Sequence, residues 1–459
     1  MHQVTAILDV GKTNVKLCLL DDAGKTVSSL SRPNDVTQSG LYPHYAVEAI
    51  WCWLLEGLAA AADEFDIMAI NISTHGACAV LVDDDGALAL PVLDYEYEQV
   101  ASCDEHYGVI RPAYELSFSP SLPAGLNLGR QLFWLSRQFP VEFAQIVQVF
   151  MYPQYWAWRL SGVAATEATS LGCHTDLWYP DKGDYSTVVD RLDIRHRLPP
   201  LVPATAALGR VAHEVAESTG LPQDCLVYAG VHDSNASFAR HLAVGLSEPF
   251  TAVSTGTWVI AMASGSPLAV LDERCDMLAN VSVQGEPLAC ARFMGGREFE
   301  EICRLTNARP DGDCKESDLA AIVDARDFIL PAFSSAGGPF ARRAGEMPRD
   351  VANGKALATL YLALMIDYEL DLLHAQGDIV FGSAAGKNPL LCRLLAQLRP
   401  GRRVLQSGDD ASTVRGAWCL TRPGYPNVPG MDELGVALPT DLVGLDVYRD
   451  EWRMKVSIE

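Results

Sequence analysis

Apolar and polar positions follow one another along this chain in a strand-like order. A mainly apolar run at 4–8 leads into the polar stretch Asp9-Val10-Gly11-Lys12-Thr13-Asn14. A second run at 15–20 leaves it, and a third extended segment at 25–30 follows the turn Asp21-Asp22-Ala23-Gly24. Short polar turns between such runs predict antiparallel strands joined by hairpins. Residues 48–62 change period: Ile50, Trp53, Leu54, Leu58 and Ala61 fall on one face of a helix. Strands are predicted again at 67–72 and 78–82, with Ser73-Thr74-His75-Gly76 between them and a short extended segment at 91–95 beyond the turn at 83–86. Three strands, a helix and further strands predict a mixed sheet with a crossover helix.

The pattern then turns helical at 126–138, 141–150 and 152–160, with Pro140 and Pro153 marking the breaks. Residues 161–203 read as irregular. A helix at 211–219 ends at Gly220, a strand at 225–229 runs into Gly230-Val231-His232-Asp233, and 234–242 is helical. A boundary falls near 245–249, after which the opening pattern restarts: strand 250–254, polar turn Thr255-Gly256-Thr257, strand 258–263. Helices are predicted at 296–305, 317–323 and 352–375, the last ended by Gly377. A strand at 379–381, a small-residue turn at 382–388 and helices at 389–398 and 410–420 follow. The Pro- and Gly-punctuated tail from 422 onward carries no assignment.

Composition narrows the function classes. The length of 459 residues implies two to three domains, with expected spans 1–245, 246–425 and a tail 426–459. Hydrophobic content of 49% and charged content of 20% describe a folded globular protein. The formal charge of −23 argues against nucleic acid or an anionic membrane as a partner, yet leaves room for a phosphate site built from backbone N–H groups. The start of the chain has no basic region followed by an apolar block, and no run of about 18 apolar residues occurs. The 12 cysteines are scattered without a C-x-x-C pair and read as reduced core residues of a cytoplasmic protein.

Gly11-Lys12-Thr13 imitates the end of a P-loop, but the first glycine of that motif would fall on Ala6, and a strand rather than a helix follows. A hairpin turn of this kind instead offers backbone N–H groups and the Thr13 hydroxyl to a phosphate. On the segment alone, an ordinary hairpin with an exposed turn is an equal reading.

Two halves that each open on a phosphate-type hairpin, with a late Gly/Ala turn opening a helix, resemble the actin-like ATPase superfamily. More narrowly, residues 4–420 resemble the FGGY family of carbohydrate kinases, in its rhamnulokinase and xylulokinase branches. The family's D-x-G-T-T-S-x-R motif appears as Asp9-Val10-Gly11-Lys12-Thr13-Asn14-Val15-Lys16, with Lys12, Asn14 and Lys16 in place of Thr, Ser and Arg. Its sugar-side segment is similar to Thr74-His75-Gly76 and Asp94-Tyr95-Glu96. Its G-x-H-D motif matches Gly230-Val231-His232-Asp233, and its second phosphate motif matches Ser254-Thr255-Gly256-Thr257-Trp258. The adenosine segments match Gly382 to Asn388 and Asp410 to Ala417, displaced by about one residue.

The resemblance implies an α/β fold of two actin-like (ribonuclease H-like) domains with a central cleft, acting on a small sugar with ATP and Mg²⁺ as monomer or homodimer. It implies Asp233 as catalytic base, and His75, Gly76, Tyr95, Glu96 and His232 with Asp233 as sugar contacts. It implies Gly11, Lys12, Thr13, Asn14, Lys16, Thr255, Gly256, Thr257, Ser383, Ala384 and Asn388 as nucleotide contacts, and Asp9 as the Mg²⁺ residue. Read from the residues, Asp233 also suits a helix N-cap, His75 and His232 suit packed histidines, Glu96 suits a solvated loop, and Trp258 suits the core. A sugar-binding sensor without catalysis and an ATPase without a sugar acceptor remain alternatives.

Overall fold

The computed structural model describes residues 2–334, 337–382, 388–408, 412–428 and 434–457. The chain divides into two compact units. The first comprises Met1–Leu246, Ala279–Pro287 and Ala411–Asp432; the second comprises Ser247–Leu278, Leu288–Asp410 and Glu433–Glu459.

The first unit is organised on a mixed sheet. Its strand order is Ala207–Arg210, Leu226–Tyr228, Phe65–Thr74, His2–Val10, Asn14–Leu20 and Thr26–Pro33. The last three are the antiparallel hairpins expected from the alternation of apolar runs and polar turns. Phe65–Thr74 lies parallel to His2–Val10, reached through the crossover helix Val47–Ala62. That helix buries Val47, Ile50, Leu54 and Leu58, which join Leu8, Val10, Ile70 and Ile72 in one core. At Gly230 the backbone takes φ +80°. A Cβ there would sit 2.8 Å from the Pro153 Cβ, so glycine is required on both conformational and steric grounds. Beyond it, Val231–His232 rejoins the sheet parallel to Phe65–Thr74, and the helix Asp233–Ala243 begins.

A smaller antiparallel sheet, Leu88–Leu90, Ala79–Val82 and Gln148–Met151, packs beside this layer. It corrects the helix expected over 141–150. Only Pro140–Ala144 is helical, and the β-branched and aromatic run after it pairs Val149 with Leu81 and Phe150 with Val80. Cross-strand burial overrides local propensity here. The segment read as irregular at 161–203 contains short helices at Ala168–Leu171 and Thr187–Arg191.

The second unit repeats the arrangement. Phe250–Thr255 and Val259–Ala263 form its opening hairpin, flanked by Pro287–Phe293 on one side and by Asp378–Phe381 and Val404–Gln406 on the other. The helix Gly354–Leu372 is buried on nearly every face, and the Asn353 side chain caps its N-terminus by accepting from the Ala356 N–H. The unassigned tail contains a helix, Leu445–Ser457, that buries Leu445, Tyr448, Trp452 and Val456. No described helix is long and apolar enough to cross a membrane.

Candidate functional site

Three strands of the first unit end side by side, and the candidate residues stand at those ends. In the parallel register, Asp9 is opposite Ser73 on one flank of the central strand, and Val231 is opposite Ser73 on the other. The sheet thereby carries Asp9 and the His232-Asp233 pair to the same level. Just beyond the central strand, His75 donates its backbone N–H to the Val10 carbonyl at 2.9 Å.

Asp233 is the first residue of its helix, and the N-cap position belongs to His232, whose side chain makes no capping bond. The Asp233 Oδ1 accepts the Ser234 N–H at 2.6 Å and the Ser234 hydroxyl at 3.2 Å, and lies 3.3 Å from the His232 Nε2. Its Oδ2 has no partner among the described residues, and the side chain is 34% exposed. One oxygen is therefore held, and the other is without a partner among the described residues on a partly exposed side chain.

His232 is fixed through its ring and its backbone. Its Nδ1 lies 2.7 Å from the Asn235 Oδ1, and Asn235 in turn donates to the Val281 carbonyl. Its backbone N–H donates to the Thr169 hydroxyl at 3.0 Å, which itself donates to the buried Glu167 carboxyl. Burial alone lowers the pKa of His232. The Cys173 thiolate and the Asp233 carboxylate outweigh burial and raise it, so the imidazolium form is favoured. Burial pushes the Glu167 carboxyl up to about 7.

His75 behaves in the opposite way. Burial lowers it to about 4, so it is a neutral imidazole. Its Nδ1 bonds the Gly76 carbonyl at 2.9 Å, and its buried Nε2 has no hydrogen-bond partner among the described residues. The ring is faced by Tyr45, Tyr95 and Tyr152 at centroid separations of 5.2, 5.5 and 5.3 Å. A Cβ on Gly76 would come within 3.0 Å of the His232 Nε2, so the glycine makes room for that ring.

Gly11, Thr13 and Asn14 form the first hairpin turn. Gly11 donates its N–H to the Asn14 carbonyl at 2.9 Å, and the Asn14 side chain donates to the exposed Thr13 hydroxyl at 3.1 Å. Lys16 is paired with Asp9 across the hairpin. Asp9 is pushed up to about 6 by burial and by the Asp233 carboxylate, against the opposing effect of Lys16. Two carboxylates whose charges oppose one another at strand ends fit a divalent cation, which would relieve both. Among the described residues, no group of three or more His, Cys, Asp or Glu side chains is arranged to hold a metal by itself.

Lys12 does not extend from this turn as an unengaged cation. Its ammonium bonds the Asp94 carboxylate, lies 3.2 Å from Glu96 Oε2 and 3.2 Å from the Tyr45 hydroxyl, and sits over the Tyr95 ring at 4.6 Å. Tyr95 and Glu96 thus join Lys12 in one cluster.

In the second unit, Thr255, Gly256 and Thr257 form an accessible turn closed by the Gly256 N–H on the Trp258 carbonyl at 3.0 Å. The N-terminus of the helix Gly295–Leu305 abuts it: the Gly296 N–H donates to the Thr257 carbonyl at 3.2 Å, and a Cβ on Gly296 would sit 2.1 Å from the Gly256 oxygen. Trp258 is half-buried beneath the Arg292 guanidinium, 4.7 Å from its ring. Asn388 donates to the Thr359 hydroxyl of the long helix at 3.0 Å. Ser383 and Ala384 lie outside the described residues.

Sequence reasoning did not identify Asn71, Tyr45, Asn235, Glu167 or Cys173. Asn71 sits inside the central strand, fully buried, accepting the Gly230 N–H at 3.1 Å and donating to the Ala417 carbonyl at 2.8 Å. A polar residue inside the apolar run 67–72 was the available signal, since an interior amide must find partners.

Comparison with known proteins agrees with this layout. Residues 4–239 match the N-terminal domain of the FGGY family of carbohydrate kinases, and residues 247–428 match the FGGY C-terminal domain. A crystal structure of a carbohydrate kinase from Novosphingobium aromaticivorans is 36% identical, with a TM-score of 0.91 over 98% of this chain and 100% of that one. A xylulose kinase from Lactobacillus acidophilus, at 16% identity, shares the fold with a TM-score of 0.78 over 99% of this chain and 96% of that one. An L-fuculokinase from Salmonella typhi is 26% identical over 57% of this chain and 56% of its own. An L-xylulose/3-keto-L-gulonate kinase from Escherichia coli (strain K12) is 31% identical over 42% of this chain and 39% of its own. The chain spans about half the length of the curated relatives it matches. With both family domains matched in order, the two-unit α/β chain belongs to the FGGY family of carbohydrate kinases.

Proposed function

We propose that this chain transfers the γ-phosphoryl group of ATP to a hydroxyl of a ketose or related sugar, with Asp233 as general base. The observation that carries the reading is the state of the Asp233 carboxylate: Oδ1 is held by Ser234 and His232, while Oδ2 is without a partner among the described residues on a side chain that is 34% exposed. A base for an alcohol needs that combination of fixed orientation and an open lone pair.

Phosphoryl transfer passes through a loose transition state, and the protein's task is chiefly to position the reactants and neutralise charge. In this reading the acceptor hydroxyl gives its proton to Asp233 Oδ2 as the bond to phosphorus forms. The His232 Nε2 beside Oδ1 keeps the carboxylate from rotating. The neutral His75, through its open Nε2, accepts a hydrogen bond from a second sugar hydroxyl, and Tyr95 offers a ring face. On the nucleotide side, the Thr13 hydroxyl, the turn from Gly11 to Asn14 and Lys16 face phosphate oxygens, and the turn Thr255-Gly256-Thr257 serves the same purpose in the second unit. Asp9 would hold Mg²⁺ through water, and the ion would supply charge neutralisation on the phosphates.

The test is ADP release from MgATP across a panel of ketoses, aldoses and polyols. Release that depends on one class of acceptor supports the proposal. Release indifferent to every acceptor would make the chain an ATPase. Nucleotide binding without release, accompanied by thermal shifts with sugar, would make it a sensor.

A further inference from the structure

We propose that Lys12 is a positioning residue for the acceptor, and that the cluster it holds together selects a neutral polyhydroxylated sugar over a sugar acid. This rests on the kinase reading above and names the substrate class for that site.

An ammonium has three donors and no acceptor. Three oxygens surround the Lys12 Nζ: the Asp94 Oδ1, the Glu96 Oε2 at 3.2 Å and the Tyr45 hydroxyl at 3.2 Å. Its donor capacity is therefore filled without a phosphate. The Tyr45 hydroxyl also donates to Asp94 Oδ1 at 3.2 Å, as does the Glu96 backbone N–H. Asp94 is nearly buried, with 10% of its side chain exposed, and acts as the anchor; Glu96 is 64% exposed and leaves most of its carboxylate open. Lys12 thus ties the hairpin turn after Asp9 to the acidic segment after Pro91. The same cluster reaches the catalytic side: His75 feels the charges of both Asp233 and Lys12, and the Tyr95 ring stands beside the His75 ring.

The charges give the selectivity. Lys12 and the His232 imidazolium contribute two positive charges, against the three carboxylates of Asp94, Glu96 and Asp233, and His75 is neutral. The lining is net negative and rich in acceptors, with an aromatic face. Sugar hydroxyls donate to such oxygens and sugar C–H faces cover the Tyr95 ring. A carboxylate on the acceptor would add a further negative charge beside a lysine already shared by two carboxylates, and like charges at close quarters are penalised.

The experiment is ADP release from MgATP with neutral ketopentoses and ketohexoses paired against aldonates and ketoaldonates of the same length. It is run on the full chain, on Lys12→Met and on Glu96→Gln. The wild-type chain is expected to favour the neutral member by about tenfold or more in kcat/KM. Lys12→Met is expected to raise the acceptor KM by about tenfold and to leave the MgATP KM within about twofold. Glu96→Gln alters an exposed group, folds irrespective of Lys12, and is expected to narrow the neutral-to-acid ratio several-fold, so it carries the test should Lys12→Met not fold. A wild-type preference for the sugar acid overturns the inference. So does a Lys12→Met defect confined to the MgATP KM, which would return Lys12 to the phosphate side. Absence of acceptor-dependent release from the wild-type chain is a different failure, since it removes the kinase reading and this inference with it.

Discussion

The His232 Nε2 stands 3.3 Å from the Asp233 Oδ1, while the opposite nitrogen of the same ring is held by Asn235 at 2.7 Å. The ring is a strut between a buried amide and the proposed base. Asn235→Ala removes the far support. We expect kcat to fall about tenfold with the MgATP KM unchanged, and stability to fall by about 1–3 kcal/mol, because a buried donor on His232 loses its acceptor. Steady-state kinetics and denaturant unfolding of the same preparation read both effects.

If Asp9 holds Mg²⁺ as proposed, it is expected to set the acid side of the pH profile. Its folded pKa of about 6 lies above the ordinary carboxylate value. Below about 6 it is protonated and competes with Mg²⁺, so activity should decline as pH falls through that value, and added Mg²⁺ should move the limb to lower pH. For stability without metal the sign is reversed. A raised carboxylate contributes stability that is fully present below the unfolded pKa and is lost as pH rises through about 6. Asp9→Asn should therefore stabilise the metal-free protein at pH 8 by about 2–3 kcal/mol and by much less at pH 4. Thermal unfolding at the two pH values checks this.

Gly296 allows the helix Gly295–Leu305 to approach the second hairpin. A Cβ at that position would overlap the Gly256 oxygen, and backbone on both sides must move. Gly296→Ala should destabilise by about 1–3 kcal/mol and raise the MgATP KM several-fold while leaving the acceptor KM near its original value. A substrate-by-substrate KM comparison distinguishes this from general loss of structure.

The architecture was legible where one signal dominated. The mainly apolar runs and short polar turns around Asp9 and around Thr255 predict the two hairpins, and those hairpins open both units. Legibility failed where tertiary pairing decided the outcome. Gln148–Met151 follows a helical period closely enough to mislead, and only the strand Ala79–Val82 makes it extended. The helix Leu445–Ser457 has apolar residues at helical spacing, but the Pro- and Gly-rich stretch before it obscured the pattern. The contact between Lys12 and Asp94 spans 82 residues, and no local rule connects a turn lysine to an acidic segment at that distance. Neither does any local rule distinguish Asn235 from other polar residues of its helix, although it supports His232.

In the proposed reaction Asp233 takes the proton of a sugar hydroxyl during phosphoryl transfer. The most direct measurement is acceptor-dependent ADP release from MgATP by the wild-type chain and by Asp233→Asn, with sugar and nucleotide binding measured alongside by calorimetry. Release is expected to fall by about 10²- to 10⁴-fold in the variant while both ligands still bind. Equal release by the two proteins with the same acceptor would contradict it.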